Sequence, residues 1–277
     1  MDPRRSFGGL VRACHPEPTA AVTGITTAFA LAAGRGAGAA WVAVAALAGQ
    51  LSVGWSNDFL DRHRDAAAGR RDKPIASGDI PAGLVRTAAA VALVAAVPLS
   101  LASGWRAAIA HLLGIAAAWS YNLGLKATPF SPVPFAVGFG GLPAFVILGL
   151  PGHPSPPVWT ILAGALLGMG AHFANVVPDI ADDLRHGVVG MPHRLGARGS
   201  ILTAGALLLA ASAVLALGPT DGPGVVGAIG LAAAAALLVA GLAAARRPGS
   251  RLPFRIAMTV AVLDVALLIA RGQAVVA

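Results

Sequence analysis

Apolar residues in this chain come in long blocks rather than in stripes. Runs rich in Ala, Leu, Val and Gly occupy about 18–34, 40–57, 83–102, 106–122, 132–150, 157–178, 200–218, 223–244 and 253–270, each closed by a short polar or Gly/Pro-containing break. A bilayer core takes about 20 apolar residues per helix. Lipid offers no hydrogen bonds, so a spanning backbone must satisfy its own polar groups. Blocks of this length therefore predict an all-α membrane protein of about nine transmembrane helices. A transmembrane barrel would need segments of about ten residues that alternate apolar and polar, and that alternation is absent. Connections such as Pro151-Gly152-His153-Pro154 read as tight turns. Two polar stretches are longer, 58–82 and 179–199. They follow the second and sixth blocks, which suggests a weak duplication of layout.

Composition agrees with the pattern. Of 277 residues, 56% are hydrophobic and 12% charged, with a mean hydropathy of +0.74. A soluble domain carries roughly a quarter of its residues as charges. No polar stretch has room for a separate soluble domain, so 1–277 reads as one polytopic unit. Residues 1–17 are polar and contain Pro, so the first apolar run is expected to be a span rather than a secretory leader.

Charge adds orientation. If the N-terminus is cytoplasmic, nine spans place every Lys and Arg on that side except Arg35, Arg106 and Arg271, as the positive-inside rule requires. The net charge of +8 is thus a topology signal, and no basic–aromatic interleaving points to nucleic acid. The lone Cys14 excludes an intrachain disulfide and a cysteine metal cage.

Six of the twelve acidic residues fall in two short motifs. The first closes the second span: Asn57-Asp58-Phe59-Leu60-Asp61-Arg62-His63-Arg64-Asp65. Asp58, Asp61 and Asp65 lie along one helical face, where like charges repel unless a cation joins them. Oxygen ligands of this kind suit Mg²⁺, which completes its shell with water and substrate phosphates. The second motif closes the sixth span: Asn175-Val176-Val177-Pro178-Asp179-Ile180-Ala181-Asp182-Asp183-Leu184-Arg185-His186. Pro178 should kink or end the helix there. Cations follow both motifs: Arg64, Arg70, Arg71 and Lys73, then Arg185 and Arg194. Arg and Lys beside a metal site suit a diphosphate, whose oxygens they neutralise as a leaving group departs.

With these motifs in hand, the chain resembles the UbiA superfamily of intramembrane prenyltransferases. Asn57-Asp58-x-x-Asp61-x-x-x-Asp65, followed by Lys73-Pro74-Ile75-x-Ser77-Gly78, resembles that family's first signature. Asp179-Ile180-x-Asp182, ending in Arg194-Leu195-Gly196, resembles the second. Arg12-x-x-His15-Pro16, Tyr121 and Lys126 also resemble family positions. The resemblance implies a helical bundle around a central cavity, Mg²⁺ as cofactor, and transfer of a prenyl group from a polyprenyl diphosphate to an aromatic or other lipophilic acceptor. It implies metal binding by Asn57, Asp58, Asp61, Asp65, Asn175, Asp179 and Asp182, with Asp183 standing in for the final carboxylate that His186 replaces. It implies diphosphate contacts from Arg70, Lys73 and Lys126, with Tyr121 beside them, and Arg64 and Arg194 extend that cationic set. Asp58, Asp61, Asp179 and Lys126 are the residues expected to carry the chemistry.

Two other readings stand beside prenyl transfer: an intramembrane terpene cyclase, in which the substrate's own double bond traps the cation, and a cation transporter. Transport would place carboxylates near the bilayer midplane at several depths, whereas these cluster beside Arg and Lys. His111 and His172 are expected to be packed, hydrogen-bonded histidines, with His172 placed to reach a cavity. Trp55, Trp105, Trp119 and Trp159 are expected as interfacial anchors, and Asp264 as a bundle-facing carboxyl.

Overall fold

Proline and glycine mark most of the helix boundaries in the computed structural model, which describes residues 3–244 and 252–275. Helix α1 (Pro3–Ala13) precedes α2 (Pro16–Ala32), which has Pro in its first turn, where the missing N–H costs nothing. After α3 (Ala39–Ala67), Pro81 stands before α4 (Ala82–Leu101) and Gly104 before α5 (Trp105–Asn122). Pro132 precedes α6 (Val133–Leu148) and Pro157 precedes α7 (Val158–Val176). A 3₁₀ turn over Val177–Asp179 separates α7 from the short α8 (Ile180–Arg185), the break that Pro178 predicts. Helices α9 (Met191–Leu217), α10 (Gly224–Ala244) and α11 (Leu252–Ala270) follow. Non-helical backbone at Gly196 (φ 68°) sets off the first turn of α9 from the rest.

Each predicted apolar block coincides with one helix. Among the described residues six helical stretches are long and apolar enough to cross a bilayer: Gly36–Ala67, Ala82–Leu101, Val158–Arg185, Met191–Leu217, Gly224–Gly241 and Leu252–Ala270. Val133–Leu148 is apolar but shorter. The chain is thus an all-helical membrane protein, and length and composition support six of the nine expected crossings directly.

The helices form a ring. Sequential neighbours pack from α2 through α7, α7 packs on α9, α9 on α10 and α11, and α11 returns to α2. A core of Phe29, Val42, Phe145, Ile147, Leu215 and Leu268 joins α2, α3, α6, α9 and α11. Alternating helix directions bring the C-terminal ends of α3 and α7 to the same end of the bundle. Arg35, Arg106 and Arg271 lie at the other end: Arg35 abuts Gly149, Arg106 donates to the His153 carbonyl at 3.5 Å, and Arg271 donates to the carbonyls of Gly222 and Pro223. Arg246, Arg247 and Arg251, which count toward the sequence asymmetry, lie outside the described residues.

Three half-buried tryptophans have contacts within the bundle. Trp55 donates to the Leu10 carbonyl at 2.9 Å, Trp119 donates to Ser52 Oγ at 3.3 Å, and Trp159 packs on the core. Trp105, 67% exposed, keeps the outward position. Asp264 is fully buried, as expected, and its partner is Ser212, 2.5 Å away on α9.

Candidate active site

The last three turns of α3 carry the first motif inward: Asp58, Asp61 and Asp65 are all buried. Each carboxylate meets a cation. Lys73 Nζ lies 3.4 Å from Asp58 Oδ1. Arg64 binds Asp61 at 2.9 Å and lies 3.9 Å from Asp65. Lys126, on the connection between α5 and α6, forms a short ion pair with Asp61. Asn57 donates to Asp61 Oδ2 at 3.1 Å and to Asn122 Oδ1 at 3.2 Å. Asn122 in turn donates to Ser56 Oγ and to the Val53 carbonyl, pinning α5 to α3. Both oxygens of Asp58 and Oδ2 of Asp65 are buried without a hydrogen bond.

The loop after α3 turns back over this motif. Lys73 reaches His15 Nε2 at 2.9 Å while facing Asp58. His15 sits in left-handed backbone (φ 54°, ψ 71°) just before α2, a conformation that costs a non-glycine residue about 1 kcal/mol or more. Burial, reinforced by the Lys73 charge, pulls the His15 pKa down to about 4, so its neutral ring accepts from the ammonium. Arg70 forks onto Asp72 at 3.0 and 2.8 Å. That bond raises the Arg70 pKa and lowers that of Asp72 to about 2.

The second motif is more open. Asn175 and Asp179 are exposed and Asp182 is half-exposed. Asp182 pairs with Arg185 at 2.9 Å, and His186 Nδ1 bonds the Asp182 carbonyl at 2.9 Å. Asp183 turns toward His193, 3.0 Å from its Nε2. The Gly190 N–H donates to His193 Nδ1 at 3.1 Å, so the proton resides on Nε2 and points at Asp183. Arg194 is exposed, with no ion pair among the described residues.

One close approach joins the two halves. A Cβ at Gly190 would lie 2.5 Å from the Lys126 carbonyl oxygen and 2.8 Å from Ser131 Oγ, so only glycine lets the start of α9 seat against the α5–α6 connection. Ser131 Oγ accepts from the Met191 N–H at 3.0 Å and bonds His172 Nε2 at 3.1 Å. The two motifs also sense each other. Arg70 is within electrostatic reach of Asp65 and Asp179, and Tyr121 of Asp61 and Asp183. Burial lowers the Lys126 pKa and Asp61 beside it opposes that shift.

Beneath the charged end lies an aromatic row. Phe135 meets the Tyr121 edge at 5.1 Å, stacks on His172 at 4.4 Å, and stacks on Phe139 at 6.4 Å. His172 is the buried, hydrogen-bonded histidine expected, and it does line the site. His111 is equally packed, bonding Ser100 at 2.8 Å and stacking on Phe145.

The structure therefore brings together Asn57, Asp58, Asp61, Asp65, Lys73, Lys126, Arg64 and Tyr121, with Arg70 reaching toward Asp179. Asp182 and Asp183 engage neighbours of their own, and no three His, Cys, Asp or Glu groups converge on one point among the described residues. Sequence reasoning missed Asn122, Ser131 and His193. Asn122 beside Tyr121 is a polar residue at a span end, a usable signal; Ser131 and His193 carry none, because their partners lie on other elements.

Residues 21–263 match the UbiA prenyltransferase family. A 164-residue segment is 34% identical to the bacteriochlorophyll synthase 33 kDa chain of Rhodobacter capsulatus, covering 53% of this chain and 52% of that one. The match thus spans about half the length of that relative. Among solved structures, a UbiA homologue from Archaeoglobus fulgidus bound to GPP and Mg²⁺ superposes with a TM-score of 0.73 at 17% identity, covering 97% of this chain and 99% of the other. The apo UbiA homologue from Aeropyrum pernix K1 superposes with a TM-score of 0.72 at 20% identity, over 91% and 97%. Sequence and fold converge over most of the chain, which belongs to the UbiA prenyltransferase family.

Proposed function

We propose that this protein transfers a prenyl group from a polyprenyl diphosphate to a lipophilic acceptor, with Mg²⁺ as cofactor and the active site at the cytoplasmic end of the bundle. The observation that carries this reading is the cationic ring over the buried first motif: Lys73, Arg64 and Lys126 each hold a carboxylate, and Arg70 reaches toward the second motif. The buried oxygens of Asp58 and Asp65 that accept no hydrogen bond suit a hard cation. Asn57, Asp58, Asp61 and Asp65 would hold one ion, and Asn175, Asp179 and Asp182 a second, with Asp183 beside them. Bound Mg²⁺ supplies positive charge against the diphosphate oxygens. The A. fulgidus homologue holding GPP and Mg²⁺ favours the same donor class.

Lys73, Lys126 and Arg70 bind and orient the diphosphate and stabilise the charge it gains as the ester C–O bond breaks. The bonding pair leaves with the diphosphate. Tyr121 and Phe135 then face the allylic cation and keep water from it. The acceptor's nucleophilic atom forms the new bond and releases a proton.

The test is incubation of purified protein with geranyl, farnesyl and geranylgeranyl diphosphate, with and without Mg²⁺ and with phenolic or bacteriochlorophyll-precursor acceptors. Mg²⁺-dependent diphosphate release, lost in Asp58→Ala and Asp179→Ala, is expected. Release indifferent to Mg²⁺ and to both substitutions refutes the reading. A cyclic hydrocarbon formed without acceptor would replace transfer by cyclisation, and Mg²⁺ uptake into vesicles without turnover would replace it by transport.

A further inference from the structure

One turn below the aromatic row, an apolar cavity of about 40 Å³ lies between α2, α6, α7 and α11. Phe139 belongs to both: it stacks on Phe135 and lines the cavity with Val22, Phe29, Leu142, Leu167 and Leu268. Thr26 is the polar exception in the wall, and its hydroxyl is spent on the Val22 carbonyl at 2.7 Å. The wall therefore offers no free hydrogen bond, and a cavity of this kind stays dry. Its far side borders the packed core. Phe29, 2% exposed, and Leu268 belong to the packed core with Val42 and Phe145. The order from the charged end is thus Lys126 and Asp61, then Tyr121, Phe135 and His172, then Phe139, then this apolar cavity.

Phe139 is held where it is by glycine on the facing helix. A Cβ at Gly168 would lie 2.5 Å from the Phe135 carbonyl oxygen, 2.6 Å from Phe139 Cβ and 2.8 Å from its Cγ, and one at Gly164 would lie 2.5 Å from the Phe139 carbonyl oxygen. Glycines one turn apart let α6 and α7 approach closely, and the Phe139 ring rests in the space they leave.

We infer that Phe139, seated on Gly168, is the residue that sets how long a prenyl chain this protein accepts, with Phe29 as the floor. The inference rests on the diphosphate reading above and goes beyond it by assigning the length limit to named side chains. A hydrocarbon chain whose diphosphate sits at Lys73 and Lys126 runs down the aromatic row and meets Phe139 next. The space beyond is small enough that each added carbon presses on the wall, so wall volume converts directly into length preference.

The experiment measures kcat/KM for geranyl, farnesyl and geranylgeranyl diphosphate in wild type, Phe139→Ala and Gly168→Ala, each purified as the full chain. The ratio between a longer and a shorter donor is internal to one preparation, so a loss of folded protein cancels. A pocket methylene is worth roughly ten-fold or more in discrimination. Phe139→Ala is therefore expected to raise the longer-to-shorter ratio about ten-fold or more. Gly168→Ala, which displaces both the Phe139 ring and the Phe135 backbone from α7, is expected to lower it. Ratios within about twofold of wild type in both variants, or a shift toward longer donors in Gly168→Ala, overturn the inference while leaving the diphosphate reading in place. A wild type that ionises none of the donors overturns both.

Discussion

Replacing Lys73 by methionine removes the cation paired with Asp58 while keeping most of the side-chain volume. Asp58 is 1% exposed and Lys73 13% exposed, with 3.4 Å between them. Coulomb attraction at that distance is about 5 kcal/mol at an effective dielectric of 20. Breaking such a buried pair by removing one partner costs about 3–5 kcal/mol, because the remaining charge is stranded. At about 2–4 °C per kcal/mol for a chain of this size, a loss of ~3 kcal/mol lowers the thermal midpoint in detergent by about 6–12 °C. Asp58→Asn in the same background removes the stranded charge, so Asp58→Asn/Lys73→Met should regain most of the stability. Activity should behave oppositely. Lys73→Met is expected to lose about 10²–10³ in kcat/KM for the diphosphate donor, the usual cost of one charge-stabilising donor, and the double variant should lose at least as much. The assay pairs thermal unfolding with steady-state diphosphate release in all four proteins. A Lys73→Met midpoint equal to wild type, or a double variant no more stable than the single one, refutes the pairing argument. An unchanged kcat/KM in Lys73→Met refutes the diphosphate contact.

Three further outcomes follow from the same geometry. Asp72→Asn frees Arg70 from its fork; since an exposed pair is worth about 0–1 kcal/mol, KM for the diphosphate donor should fall by up to about fivefold, and a rise would count against Arg70 as a donor-binding group. The His15 pKa is about 4 in the folded chain against 6.5 unfolded, so the unfolded state binds the extra proton and wild type should lose up to ~3 kcal/mol of stability as pH falls from 6.5 to 4. His15→Gln should flatten that slope when thermal midpoints of the two proteins are compared across the window, and parallel slopes would show that His15 does not titrate there. Gly190→Ala places a methyl against the Lys126 carbonyl and Ser131 and is expected to cost about 1–3 kcal/mol and to depress kcat, whereas Gly187→Ala, with open space around it but φ of 78°, should disturb stability alone; equal kcat losses in both would remove the special role of that approach.

Much of this protein was readable along the chain. Block length marked where helices lie, because lipid demands about 20 apolar residues with every backbone group satisfied. Pro178 marked the break in the second motif. The i, i+3, i+7 spacing put Asp58, Asp61 and Asp65 on one face, and the structure buries all three. What each carboxylate touches was settled only in three dimensions. Lys126 reaches Asp61 across 65 positions, His15 reaches Lys73 across 58, and His193 claims Asp183, so two motifs that look alike on paper differ in burial and partners. A helix in lipid that is apolar on every side carries no stripe to say which face points to the bundle. Rotation and depth are set instead by close approaches such as Gly190 against Lys126 and Gly168 against Phe139, and those exist only once distant segments have packed.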